Sequence, residues 1–317
     1  GTLFGEHDRN ARLVLDEVRI SEEQLGQIDR IVIVACGTAA YSGMVAKYAI
    51  ERWTRIPVEV ALAHEFRYSD PIADARTLVV SISQSGETMD TLMAVKHARE
   101  LGALTLSICN THGSTIPRES DAVLYTHAGP EVAVASTKGF SAQITAAYVL
   151  GLYLAQMRGG EHAVNAQAVM RELRGLPDHI QTVLDRMDRV IEIARFMADS
   201  RSVLFLGRNV GYPIALEGAL KLKEIAYIHA EGFAAGELKH GPIALIEPGQ
   251  PVFIVVPGPD TPHELHKKVV SNIQEIRARG ARTLVIAEDG DEDVVPFADE
   301  VIRVPATLPL LMPLLTI

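Results

Sequence analysis

Ile31-Val32-Ile33-Val34-Ala35-Cys36-Gly37-Thr38 is the stretch whose reading decides the fold. Its run of β-branched residues carries no polar alternation, which predicts a strand covered on both faces, as in parallel sheets flanked by helices. Gly37 closes the run, and a helical pattern follows from Ser42 to Arg52. The same order returns later in the chain. Ser202-Val203-Leu204-Phe205-Leu206-Gly207-Arg208 is another apolar run closed by glycine, followed by a helical pattern from Pro213 to Tyr227.

Each copy continues alike. Thr77 to Ser83 is a strand, a helix runs to Leu101-Gly102, and Leu104 to Cys109 is the next strand. Pro251 to Val256 is its counterpart, with a helix to Arg279-Gly280 and a strand from Thr283 to Ala287. The second copy holds an extra insert, Ala230 to His240. An internal repeat of β-α-β units predicts an α/β protein of two doubly wound parallel-sheet domains in tandem. The expected boundaries are 1–160 for the first domain (core 22–160) and 161–317 for the second (core 194–317). Helical sequence from about Glu161 to Phe196 links them.

Length agrees, since 317 residues exceed what one core usually supports. A net charge of −10 argues against nucleic acid as a partner, because such binding needs a basic footprint. A helix N-terminus can still hold an anionic small molecule. Two cysteines, Cys36 and Cys109, give no disulfide framework and no metal-type spacing, which predicts a reducing cytoplasm and no metal. His64, His97 and His179 stand without ligand-type partners in the sequence. The apolar stretch from Ile144 to Met157 is too short to span a bilayer and predicts a buried helix, hence no membrane partner. The chain opens on Gly1-Thr2-Leu3-Phe4-Gly5 and stops within the apolar run Leu308 to Ile317. An exposed run of that kind is an aggregation liability, so a fragment of a longer polypeptide is expected.

Ligands of open parallel sheets sit beyond the carboxyl ends of the strands. There the chain reads Ser83-Gln84-Ser85-Gly86-Glu87-Thr88: three hydroxyls, an amide and a glycine opening a helix. These groups suit a phosphate, although ordinary helix capping explains them equally well. Val134-Ala135-Ser136-Thr137-Lys138 precedes another helix, and taken alone it reads as a cap. Cys36-Gly37-Thr38 forms a third such loop, in which no neighbour marks Cys36 as an activated thiol. In Ala215 to Glu224, the residues Glu217, Lys221 and Glu224 share one helical face. A solvated charge ladder is the common reason for that spacing. Two features favour chemistry instead: the helix follows the strand ending at Gly207, and the following Gly236 to Pro242 loop carries His240, whose ordinary pKa suits proton transfer.

Taken together, these segments resemble, in order and spacing, the synthase portion of the glucosamine-6-phosphate synthase family, the isomerising glutamine–fructose-6-phosphate aminotransferases. The resemblance runs from about Ile31 to Pro305. It implies two sugar-isomerase (SIS, flavodoxin-like) domains and a sugar-phosphate substrate: fructose 6-phosphate, glucose 6-phosphate or glucosamine 6-phosphate. By resemblance, Ser83, Gln84, Ser85 and Thr88 cradle the phosphate, while Cys36, Thr38, Val134 and Ser136 lie at the sugar. Glu224 matches the base that moves a proton between C1 and C2, in a site whose desolvation raises its proton affinity. Lys221 matches a lysine that stabilises enolate-type charge. His240 matches a histidine that assists ring opening from the neighbouring subunit, which implies a homodimer. No cofactor is implied. A glutaminase domain and a C-terminal tail bearing a Schiff-base lysine belong to the family's pattern and not to this chain. Ala39 stands where the family often has serine. A sugar-phosphate-binding regulatory module and a related deglycase or isomerase are the alternatives. The Lys221, Glu224 and His240 set separates them, since a sensor has no need of it.

Overall fold

The computed structural model describes residues 13–159 and 161–317; the opening Gly1 to Gly5 stretch, like the rest of residues 1–12, lies outside them. The chain divides into two compact units between Met170 and Arg171. The first unit runs α1 (Glu22–Gly26), β1 (Arg30–Ala35), α2 (Thr38–Thr54), β2 (Val58–Leu62), α3 (Ala63–Tyr68), β3 (Thr77–Ser83), α4 (Met89–Glu100), β4 (Leu104–Cys109), α5 (Thr115–Glu119), β5 (Ala122–Tyr125) and α6 (Lys138–Arg158). Helix α7 (Glu161–Leu184) contains the division. The second unit continues with α8 (Met187–Met197), β6 (Ser202–Gly207), α9 (Gly211–Ala226), β7 (His229–Ala234), β8 (Pro251–Val255), α10 (Leu265–Ala278), β9 (Arg282–Glu288) and β10 (Glu300–Val304). Two short 3-10 turns, Ala235–His240 and Pro242–Leu245, stand between β7 and β8.

Each unit holds one five-stranded parallel sheet, ordered β2-β1-β3-β4-β5 in the first and β7-β6-β8-β9-β10 in the second. The repeat read from the sequence is therefore a repeat of topology. Every residue of β3 is buried, as is all of β1 beyond Arg30, because helices cover both faces. Burying one such Val, Ile or Leu side chain contributes roughly 1.5–3 kcal/mol, so these runs cannot slip by a residue without large loss. Helix α6 is apolar nearly all round and is the buried helix expected from Ile144 to Met157. Its Tyr148 meets Trp53 of α2 edge-on at 5.3 Å, and complete burial pushes the Tyr148 phenol up from its ordinary range. No helix among the described residues is long and apolar enough to cross a membrane.

Three expectations change. Helix α2 begins at Thr38 rather than Ser42, because Gly37, at φ +56°, turns the chain into the helix at once. Helix α9 begins at Gly211 rather than Pro213. There the chain turns so sharply that a Cβ on Gly207 would lie 2.0 Å from the Gly211 carbonyl oxygen. The middle of the apolar run at the end is not exposed: Leu311, Met312, Leu314 and Leu315 are buried in the second unit, while Leu308 and Ile317 stay exposed. Pro309, Leu310, Met312 and Pro313 of the same run form, with Arg208 to Gly211 and Val255 to Pro257, the walls of a cleft at the carboxyl ends of β6 and β8.

His266 of α10 and Asp291 form a buried pair, Nε2 to Oδ2 at 2.8 Å, while Asp291 Oδ1 accepts the Asp293 N–H at 3.2 Å. Removing one partner strands the other away from water. His266→Ala is expected to cost about 3 kcal/mol of unfolding free energy in urea; a loss under about 1 kcal/mol would show that the pair holds nothing together.

Candidate functional site

In the first sheet β1 and β3 are neighbours, with Val34 opposite Ser81, and their connections leave in opposite directions. Two loops therefore emerge side by side at the carboxyl edge: Cys36-Gly37-Thr38 after β1 and Ser83 to Thr88 after β3. This is the switch point at which doubly wound sheets hold ligands.

The Ser83–Thr88 loop is built by its own side chains. Buried Ser83 accepts the Gly86 N–H at 3.0 Å and lies 3.3 Å from the Thr88 hydroxyl. Ser85 accepts the Glu87 N–H at 3.2 Å. The carbonyl of Gln84 accepts the Asn110 N–H at 3.3 Å, and that of Gly86 accepts the Ile116 N–H at 2.9 Å, which ties the loop to the end of β4 and to α5. Gly86 sits at φ +68°, and a Cβ there would lie 1.9 Å from Ser114 Oγ. No other residue fits without moving the loop. Glu87 accepts the Thr115 N–H at 2.8 Å. Hydrogen bonds from the Thr115 side chain and then its backbone hold the Glu87 carboxyl below its ordinary range, with a smaller pull from Arg118.

The third loop reaches the same place. Glu131 accepts the Thr137 hydroxyl at 2.9 Å and the Gly139 N–H at 3.0 Å, fixing the entry to α6. A Cβ on Gly139 would come within 2.7 Å of Ser136 Oγ and 3.8 Å of Gln84 Cγ, so Ser136 and Gln84 stand around one point. The Ser136 hydroxyl is shielded from solvent and has no partner within the described residues. Val134 is fully exposed, so within this unit it lines no enclosed pocket. Thr38 opens α2, and Cys36 is half-buried beside it.

The expected catalytic residues lie in the second unit. On α9, Lys221 Nζ lies 2.5 Å from Glu224 Oε2 and 3.4 Å from Glu217 Oε1. The ladder is not simply solvated, because Glu217 is only 1% exposed and a buried carboxylate needs a partner. Desolvation therefore falls on Glu217, whereas the Glu224 side chain is 40% exposed. His240 ends a 3-10 turn at the surface of its unit, apart from the α9 pair in sequence.

Sequence reasoning missed Glu131, Glu87 and His64. Glu131 and Glu87 act through hydrogen bonds to chain segments that their own motifs do not contain, and no spacing announces such bonds. His64, read as solitary, has Nδ1 4.0 Å from Cys36 Sγ.

Two outcomes follow from the loop. Gly86→Ala is expected to abolish ligand binding at this edge in calorimetry, and unchanged affinity would contradict the close approach at Ser114. Because the folded Glu87 pKa lies below its value in the unfolded chain, the Glu87–Thr115 tie is complete above the unfolded pKa and lost as pH falls through the folded one. An NMR titration of the Thr115 amide is expected to show a midpoint below pH 4.5, the ordinary value; a midpoint at or above it would contradict the tie.

The chain matches the family described as the SIS domain over residues 24–153 and 196–308. It is 66% identical over 315 residues to the isomerizing glutamine–fructose-6-phosphate aminotransferase of Corynebacterium diphtheriae, covering 99% of this chain and 50% of that protein. Against the Streptomyces coelicolor protein of the same name it is 65% identical over 313 residues, covering 99% and 51%. The chain thus spans about half the length of these curated relatives. The solved C-terminal domain of the glucosamine-fructose-6-phosphate aminotransferase from Francisella tularensis has a TM-score of 0.89 to it at 37% identity, covering 97% of this chain and 86% of that one. The chain belongs to the SIS-domain family, and within it to the isomerase portion of the isomerizing glutamine–fructose-6-phosphate aminotransferases.

Proposed function

We propose that the chain binds fructose 6-phosphate and converts it, with ammonia, to glucosamine 6-phosphate. Ammonia condenses at the C2 carbonyl of the open-chain ketose with loss of water. A proton then leaves C1 and is delivered to C2 while the O1–H proton passes to nitrogen, which leaves an aldehyde at C1 and an amine at C2. In this reading Ser83, Gln84, Ser85 and Thr88 hold the phosphate, with the first turn of α4 supplying N–H groups and dipole. Thr38, Cys36, Ser136 and Val134 face the sugar. Glu224 is the base that carries the proton, and Lys221 stabilises the charge that develops as the proton leaves. His240 of the partner subunit assists ring opening, which makes a homodimer the working form. Ammonia comes from a glutaminase domain, in the cytoplasm. Residues 1–160 and 161–317 act as the two sugar-isomerase domains of this arrangement.

The observation that carries the reading is Lys221 Nζ set between the carboxylates of Glu217 and Glu224. Phosphate binding alone has no use for a lysine and carboxylate pair at that position, whereas moving a proton beside a carbonyl needs both.

Calorimetry and solvent proton exchange on the same variants test it. Ser83→Ala is expected to weaken fructose 6-phosphate binding at least tenfold. Glu224→Gln is expected to bind within threefold of the parent while losing C1/C2 proton exchange by roughly 10²–10⁴-fold. Full exchange in Glu224→Gln would sink the assignment of the base, and no binding by the parent would sink the substrate class.

A further inference from the structure

We propose that Cys36, His64 and Asp90 form a binding site for a borderline-soft divalent cation, zinc above all, at the carboxyl edge of the first sheet. Three elements deliver these residues: the loop after β1, the first turn of α3 and the first turn of α4. One ligand atom from each lies within 4.8 Å of the other two. Cys36 Sγ and His64 Nδ1 are 4.0 Å apart. Tetrahedral zinc, with Zn–S near 2.3 Å and Zn–N near 2.0 Å, puts sulfur and nitrogen about 3.5 Å apart. A contraction of about half an ångström, within reach of side-chain rotation, would close the shell. His64 Nε2 meanwhile faces Glu65 Oε1 at 3.6 Å, and a carboxylate on the second ring nitrogen is the usual orienting partner of a ligating imidazole.

The donor set chooses the metal. One thiolate, one imidazole and one carboxylate suit zinc and cobalt, whereas magnesium and calcium prefer oxygen alone. The thiol proton passes to solvent on binding. Three protein ligands leave a fourth position open, half-exposed at the edge. Cys109 is no rival ligand. It is buried, 3.5 Å from Ser114 Oγ, and burial pushes its thiol up from the ordinary value.

The position gives the site its consequence. Asp90 follows closely on Thr88, and Cys36 immediately precedes Gly37 and Thr38, so one cation would pin both loops of the switch point. Occupancy is then expected to change the affinity for a sugar phosphate. That consequence rests on the sugar-phosphate reading; metal binding itself does not.

Cobalt titration of the whole chain, kept reduced with a phosphine, tests the site. One equivalent is expected to raise a near-ultraviolet thiolate-to-cobalt charge-transfer band that zinc displaces. Cys36→Ser should remove the band, Cys109→Ser should keep it, and His64→Ala and Asp90→Asn should each weaken cobalt binding at least tenfold. X-ray absorption of the zinc-loaded parent needs no variant, and it should show one sulfur near 2.3 Å with lighter ligands at about 2.0–2.1 Å. Lack of sulfur in that shell, a band that survives Cys36→Ser, or full affinity in His64→Ala would each overturn the proposal. In the sugar arm, zinc should shift the fructose 6-phosphate Kd at least threefold in the parent and leave it unmoved in His64→Ala. If the parent binds no sugar at all, the sugar reading fails while the cobalt spectrum still decides the metal site.

Discussion

The constraint on which the rest depends is the pairing of β1 with β3 in a parallel sheet. These strands carry crossovers to opposite faces, so their carboxyl ends stay uncovered and adjacent. Everything that binds or orients has to be delivered there by the loops that follow. Nearly full burial of both strands holds the register, and the register in turn holds Thr38 beside the Ser83–Thr88 loop. The loop is then locked by groups outside it: Ser114 against Gly86, the Thr115 N–H on Glu87, and the Asn110 N–H on the Gln84 carbonyl. A loop held in this way is preorganised for the phosphate proposed to bind it, since its groups are fixed before any ligand arrives.

The second unit repeats the topology and departs from it at the same edge. The connections after its paired strands β6 and β8 also leave in opposite directions, yet the loop after β6 meets apolar residues of the chain's end, including Met312 and Pro313. A hydroxyl cradle is missing from that cleft's lining, where Thr261 and Thr316 are the hydroxyl side chains. What the second unit offers is the α9 face. Burying Glu217 costs desolvation energy that Lys221 offsets, and the same lysine reaches Glu224 at the more exposed end of the row. In the proposed reading one copy of the fold carries binding groups and the other acid–base groups, a division that fold alone does not dictate.

Much of this was legible in the sequence. The strands from Ile31, Thr77, Leu104, Ser202, Pro251 and Thr283 could be read because strands buried on both faces leave an uninterrupted apolar run, and the repeat doubled the signal. Helix starts were less legible. Thr38-Ala39-Ala40 has no apolar period, so α2 could not be seen to begin until Ser42, and only the φ of Gly37 shows the turn. Burial of Glu217 was hidden for a physical reason: Glu–Lys–Glu spacing is the same whether the row faces water or a neighbouring strand. The roles of Glu131, Glu87 and His64 were not legible at all, since each depends on which loops the sheet order sets together. The apolar end that the sequence suggested as exposed is packed over Leu311 to Leu315, with Met312 and Pro313 against the loop after β6.

The proposed sugar-phosphate site lies at the switch point of the first sheet. A crystal structure of the chain grown with fructose 6-phosphate addresses it most directly. Phosphate oxygens are expected within hydrogen-bond distance of the Ser85 and Thr88 hydroxyls and the N–H groups opening α4, with Ser136 and Gln84 beside the sugar. Phosphate bound instead at the Arg208–Gly211 loop of the second sheet, with the Ser83–Thr88 loop unoccupied, would contradict it.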